Sequence, residues 1–107
     1  MPRYLFLGCY TAEGLKSLHK DTAVARRATL IKAVESLGGK LEAAYWCFGQ
    51  TDTLGVAEMP DNVNAATFAL AVSVGGHIRV TTTPLLTAEE LDRALQKCVT
   101  LHPHSIK

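Results

Sequence analysis

The chain has 107 residues, enough for one domain with a single hydrophobic core and too few for two. Hydrophobic residues make up 48% and charged residues 20% with a formal net charge of +1, so the composition is that of a globular domain, and no excess of charge recruits nucleic acid or an anionic membrane. Three cysteines, Cys9, Cys47 and Cys98, are odd in number and dispersed without C-x-x-C spacing, which predicts free thiols and neither a zinc site nor an internal disulfide.

The first stretch, Met1 to Gly8, carries one cation and then an apolar run too short for a signal-peptide core or a membrane span. It predicts a cytoplasmic chain that opens on a strand over Arg3 to Tyr10. Tyr4, Phe6 and Tyr10 alternate with Leu5, Leu7 and Cys9, so the strand is apolar on both faces and wants cover on both. Thr11 suits a helix N-cap and Glu13 suits its first turn. Leu15 and Leu18 give that helix a short apolar stripe, but Gly14 and the polar patch His19 to Thr22 weaken it. A break is expected there, followed by a stronger helix from about Ala23 to Leu37 that Gly38-Gly39 closes.

The centre of the chain, Leu41 to Glu58, reads as a hairpin: two runs of aromatic and aliphatic residues flank a polar turn that contains Gly49 and Asp52. Pro60-Asp61-Asn62 then supplies a turn and an N-cap for an alanine-rich helix, Val63 to Val74, that ends at Gly75-Gly76. A fourth strand runs from His77 to Pro84, its threonines suited to extended backbone. Thr87 and Glu90 form a capping box for a last helix through about Val99, and residues 100–107 are expected to be a loose tail. One domain over residues 1–99 results. Its order is β-α-β-β-α-β with an added C-terminal helix, an α+β, ferredoxin-like arrangement with both main helices on one face of an antiparallel sheet. Tyr4, Phe6, Trp46 and Phe48 cannot all face the helices, so a second subunit's sheet is expected to cover the free face, as in a dimeric α/β barrel.

These residues resemble the GYD-domain family, a group of small, mostly uncharacterised bacterial proteins with ferredoxin-like organisation. The likeness covers about residues 3–90. It rests on Tyr4-Leu5, Tyr10-Thr11, Ala25-Arg26-Arg27, the run Leu37 to Glu42 leading into Tyr45-Trp46, the turn Gly49-Gln50-Thr51-Asp52, and Arg79 to Thr83. The naming motif, Gly-x-Tyr-Asp, keeps Gly49 and Asp52, but Thr51 stands where it has tyrosine. The resemblance implies the fold and does not bring an activity with it.

Among candidate site residues, Arg27 falls inside the arc that Val24, Ala28, Leu30, Ile31, Val34 and Leu37 make at helical spacing. Either its stem packs on apolar surface at a subunit seam, or its guanidinium anchors an anion or carbonyl in a cleft between helix and sheet. Asp52 is a turn residue or a carboxylate at a pocket mouth. Tyr45 and Trp46 are core residues or ligand-facing aromatics, one of which must point away from the helices. His77 and Arg79, two residues apart and so on one face of the fourth strand, form either a polar pair on the sheet or a solvated edge. His102 and His104 do not make a metal site, which needs three or four placed ligands, and no P-loop, dinucleotide or triad pattern occurs. Three readings stay open. One is a homo-oligomeric module that binds a small molecule without a cofactor. Another is a cofactor-free oxygenase- or isomerase-like enzyme with its site in the same cleft. The third is a purely structural assembly unit. The expected partners are further copies of the chain and a small molecule, with no nucleic acid and no membrane.

Overall fold

A computed structural model of the chain describes residues 1–101. Its elements are β1 (Arg3–Tyr10), α1 (Ala12–Lys20), α2 (Ala23–Ser36), β2 (Lys40–Trp46), β3 (Thr53–Glu58), α3 (Asn62–Ser73), β4 (Ile78–Leu85) and α4 (Ala88–Thr100). The four strands form one antiparallel sheet in the order β2-β3-β1-β4. That α+β arrangement is compatible with the expected ferredoxin-like fold. β1 and β2, which lead to Cys9 and Cys47, are separated by β3, and all three cysteines are free.

Local chemistry sets most boundaries. Thr11, Thr22, Asp61 and Thr87 each accept a hydrogen bond from a first-turn backbone N–H of the helix that follows, satisfying donors that have no partner inside the helix. The expected break before α2 occurs at Asp21, whose N–H donates to the Leu18 carbonyl at 3.1 Å. α2 ends as Gly38 takes φ +81°, and Gly76 takes φ +73° between α3 and β4, a region that costs glycine little. α4 runs one residue past its expected end, to Thr100. Residues 102–107 of the expected tail, with His102 and His104, lie outside the described residues.

The core lies on one side of the sheet. Tyr4, Phe6 and Ala57 from the strands pack with Val34 of α2, Met59, and Ala65 and Phe68 of α3. The Tyr4 hydroxyl, at the edge of this cluster, donates to Asn62 Oδ1, so the ring is buried without orphaning its polar tip. The opposite side presents Leu5 and Leu7 of β1 against Leu54 and Val56 of β3, with Tyr45, 64% exposed, beyond them on β2. None of these residues is fully buried. Trp46 is not among them: it shares the helix-facing side with Tyr10. The aromatic surplus expected on the free face therefore reduces to Tyr45, because Tyr4, Phe6 and Trp46 all point toward the helices and Phe48 stands fully exposed past the end of β2.

At the start of α4 the Thr87 N–H donates to Glu90 Oε1 at 2.8 Å while Glu90 N–H donates to Thr87 Oγ1 at 3.1 Å. The backbone hydrogen bond from Thr87, then the side-chain one, holds the Glu90 carboxyl below its usual 4.5. A carboxyl lowered in the folded state adds stability that is complete above the unfolded value and is lost as pH falls through the folded one. α4 should therefore fray on acidification below about pH 4.5. Glu90→Gln keeps an acceptor for the Thr87 N–H but does not titrate, so it should remove this acid-dependent component. An identical acid transition for both proteins, followed by the α4 amide resonances, would contradict the assignment.

Candidate functional site

Three small residues in neighbouring strands leave a hollow under the helices. Gly55 lies opposite Phe6 on one side and Ala44 on the other, and Gly8 lies opposite Thr53. With no bulk rising from this part of the sheet, α2 and α3 span a cleft of about 230 Å³ whose floor includes Gly8, Ala44 and Gly55. A side chain at Gly8 would close it: a Cβ there would come 2.5 Å from Ile78 Cδ1 and 2.7 Å from Thr53 Cγ2. Leu30, Phe68, Val72 and Val80 make the walls mainly apolar. A larger hollow of about 730 Å³ runs along Leu15, Leu18 and His19. It is bounded by α1 and the turn after it, with nothing opposite, and has no second wall to bury a ligand.

Polar groups enter the 230 Å³ cleft at few points: Tyr10, Arg26, Thr29, Thr53 and His77. Arg26 is half-buried, with Nε 3.8 Å from Asp21 Oδ2 and Nη2 3.4 Å from Ser17 Oγ. Both contacts are long, and most of its five donors are uncommitted. His77 has a buried Nδ1 with no hydrogen-bond partner among the described residues, whereas its carbonyl accepts from the Thr11 N–H at 2.9 Å. Buried polar atoms are nearly always paired, so an orphan in a ring that lines a cleft calls for an explanation.

Tyr10 joins the cleft to the central turn. Its N–H donates to Asp52 Oδ2 at 2.8 Å and its hydroxyl accepts from Trp46 Nε1 at 2.9 Å. The Asp52 N–H donates to the Gly8 carbonyl and the Asp52 carbonyl accepts from the Cys47 N–H. Asp52 thus fastens the turn to the end of β1, which gives its carboxylate a structural task. The thiols of Cys9 and Cys47 donate to the Gln50 and Thr51 carbonyls of the same turn.

The structure brings three of the six residues singled out from sequence to this end of the sheet: His77 in the cleft, and Trp46 and Asp52 through Tyr10. The other three lie elsewhere. Arg27 is exposed and borders, with Tyr45, a shallow hollow along β2. The buried arc of α2 runs through Arg26, Leu30, Ala33, Val34 and Leu37, so Arg26 takes the inward place expected for Arg27. Leu30, Val34 and Leu37 fit either arc; Ala33, whose small side chain lets the helix approach the core, decides between them against Ile31. Arg79 is exposed opposite Cys9, on the side of the sheet away from the cleft. It does not pair with His77, because β4 begins at Ile78 and strand alternation does not extend back to the residue before it. The sequence reading missed Arg26, Tyr10 and the two strand glycines, although glycine inside a strand pattern marks a close approach or a missing wall.

Arg3, on the sheet side away from the cleft, bonds Glu42 through Nε at 2.7 Å and lies 3.6 Å from Glu58. The Glu42 hydrogen bond raises its pKa further. Among the described residues no group of three or more His, Cys, Asp or Glu is placed to hold a metal ion, and no helix is long and apolar enough to cross a membrane. In comparisons with known proteins, the family model described as GYD domain matches residues 4–95. No curated protein and no solved structure matches the chain.

Proposed function

The chain belongs to the GYD-domain family, and on that footing we propose that it is a homo-oligomeric module that binds a small molecule in the cleft under α2 and α3. The ligand has an apolar, ring-sized body and one hydroxyl or carboxyl group, which meets His77 Nδ1, buried in the free chain, once the imidazole turns into the cleft it lines. That orphan atom carries the reading: left dry and unpaired it costs about 1–3 kcal/mol, and a ligand oxygen removes the cost. Arg26, on the same cleft, supplies further hydrogen bonds to an oxygen-bearing group. Copies of the chain join through the uncovered sheet side, where Leu5, Leu7, Leu54 and Val56 are half-buried in the single chain. Burying a leucine or valine side chain fully is worth about 1.5–3 kcal/mol, so a contiguous group of four favours association.

The binding claim is tested with 4-fluorobenzoate and 4-fluorophenol, with fluorobenzene as an apolar control, titrated into the protein and followed by fluorine NMR. The acid or the phenol is expected to bind and to perturb the His77 resonances. His77→Phe keeps the ring volume and removes Nδ1, and should weaken that probe about tenfold, roughly the 1.4 kcal/mol of one hydrogen bond, while leaving fluorobenzene unchanged. Equal weakening of all three probes, or no effect of the substitution, would sink the His77 role. The enzyme reading shares this cleft and requires in addition that a bound probe be chemically changed.

A further inference from the structure

α4 is a complete helix that no other element among the described residues packs against along its length. Its 13 residues open on a full capping box, yet all of them except Glu90 are exposed. A helix of this length is marginal in water on propensity alone, and in proteins most helical stability comes from packing an amphipathic face. α4 has such a face. With an advance of about 100° per residue, Ala88, Leu91, Ala94, Leu95 and Cys98 fall on one side, and Asp92, Arg93, Gln96 and Lys97 on the other.

We infer that α4 lays this apolar stripe on a second copy of the chain, enlarging the sheet-side interface described under Proposed function, on which the inference rests. Two observations select that occupant. The first is continuity. Arg3 and Leu85 oppose one another across β1 and β4 on the side away from the core, and they line one hollow with Leu86, Thr87 and Glu90 at the root of α4. The helix therefore leaves from the border of the uncovered sheet side, where Leu85 and Leu86, the latter 64% exposed, stand beside the charged group of Arg3, Glu42 and Glu58. The second is self-complementarity. A chain with an unpartnered apolar helix and an unpartnered apolar sheet face carries both halves of one contact, and a twofold axis closes both at once. A lipid surface fits less well, since interfacial helices carry mainly Lys and Arg on their polar face, whereas α4 sets Glu89, Glu90 and Asp92 against Arg93 and Lys97.

The test compares the unaltered chain with the double variant Leu91→Ser, Leu95→Ser by light scattering over a dilution series. Hydrogen exchange of the α4 amides is read on the same samples. Both leucines are about half exposed in the single chain, at 49% and 54%, so their loss leaves the domain core intact. Self-association is expected to weaken about tenfold or more in the variant, with α4 amides protected in the assembled unaltered chain and unprotected in the variant. Unchanged association would overturn the α4 inference and leave the sheet-side interface standing. An unaltered chain that is monomeric at every concentration would overturn both. Leucine-dependent binding to vesicles of phosphatidylglycerol and phosphatidylcholine, with association unchanged, would overturn the inference in favour of a membrane.

Discussion

Phe68→Ala is expected to lower the free energy of unfolding by about 3–5 kcal/mol, in the range for removing a buried aromatic ring. Phe68 is 5% exposed and meets Phe6 edge-on, with ring centroids 5.0 Å apart and planes at 72°, a geometry that adds to plain area burial. With Phe6 it belongs to both the core and the wall of the cleft. The cavity left by alanine would merge with the cleft and not collapse, because the sheet beneath is already floored by Gly8 and Gly55. Small domains are stable by only about 5–15 kcal/mol in all, so the variant should be close to unfolding at moderate denaturant. Phe68→Leu, which refills much of the volume, should recover most of the loss. Equilibrium urea unfolding measures both. A loss below about 1 kcal/mol for alanine would mean that the ring is not packed as described.

Elements were legible in this sequence wherever a boundary rests on local chemistry. Thr11 and Thr87 cap the helices assigned to them, the Pro60-Asp61-Asn62 turn caps α3 through Asp61 one residue ahead of the expected start at Val63, and Gly38 and Gly76 adopt the left-handed turns that end α2 and separate α3 from β4. The two helical segments before β2 were legible for the same reason, since the polar run His19 to Thr22 offers no apolar face to continue one into the other. Strand order followed from the sequence of elements, because a hairpin between two β-α units leaves few ways to build one antiparallel sheet.

The site was legible only in part, because it depends on rotation and on absence. An arc of apolar residues on α2 can be drawn through Val24, Arg27 and Ile31 or through Arg26, Leu30 and Ala33, and the alanine-rich composition separates the two weakly. Packing decides, and it leaves Val24 67% exposed. The cleft itself is written in what Gly8, Ala44 and Gly55 lack, and their alignment across three strands depends on a register that includes the irregularity between Leu41 and Ala43. Without that irregularity Ala44 would face away from the cleft, since one residue of slip moves a strand's side chains to the other face. The chemistry of His77 is legible in the sequence but its surface is not, because β4 begins at Ile78 and strand alternation does not reach back to the residue before it.

Gly14→Ala offers the sharpest separation between propensity and packing. Replacing a glycine within a helix by alanine ordinarily stabilises by about 1 kcal/mol, and Gly14 is inside α1. Here a Cβ would collide with the His77 carbonyl oxygen and stand 2.7 Å from its carbonyl carbon and 3.1 Å from its Cα. Those atoms are backbone and cannot swing aside as a side-chain end would. They are also held in place, since the His77 carbonyl accepts from Thr11 N–H at 2.9 Å while Thr11 Oγ1 donates to the Gly76 carbonyl at 2.8 Å. α1 must therefore lift away or the Gly76-His77 turn must shift. Net destabilisation of about 1–3 kcal/mol is expected, against the sign of propensity. The more diagnostic result is local: faster hydrogen exchange at the Thr11 amide and a changed His77 ring environment, with weaker binding of the oxygen-bearing fluorinated probe. A variant at least as stable as the parent, with Thr11 protection and the His77 resonances unchanged, would show that α1 does not rest on the backbone of His77 and that the cleft does not depend on that contact.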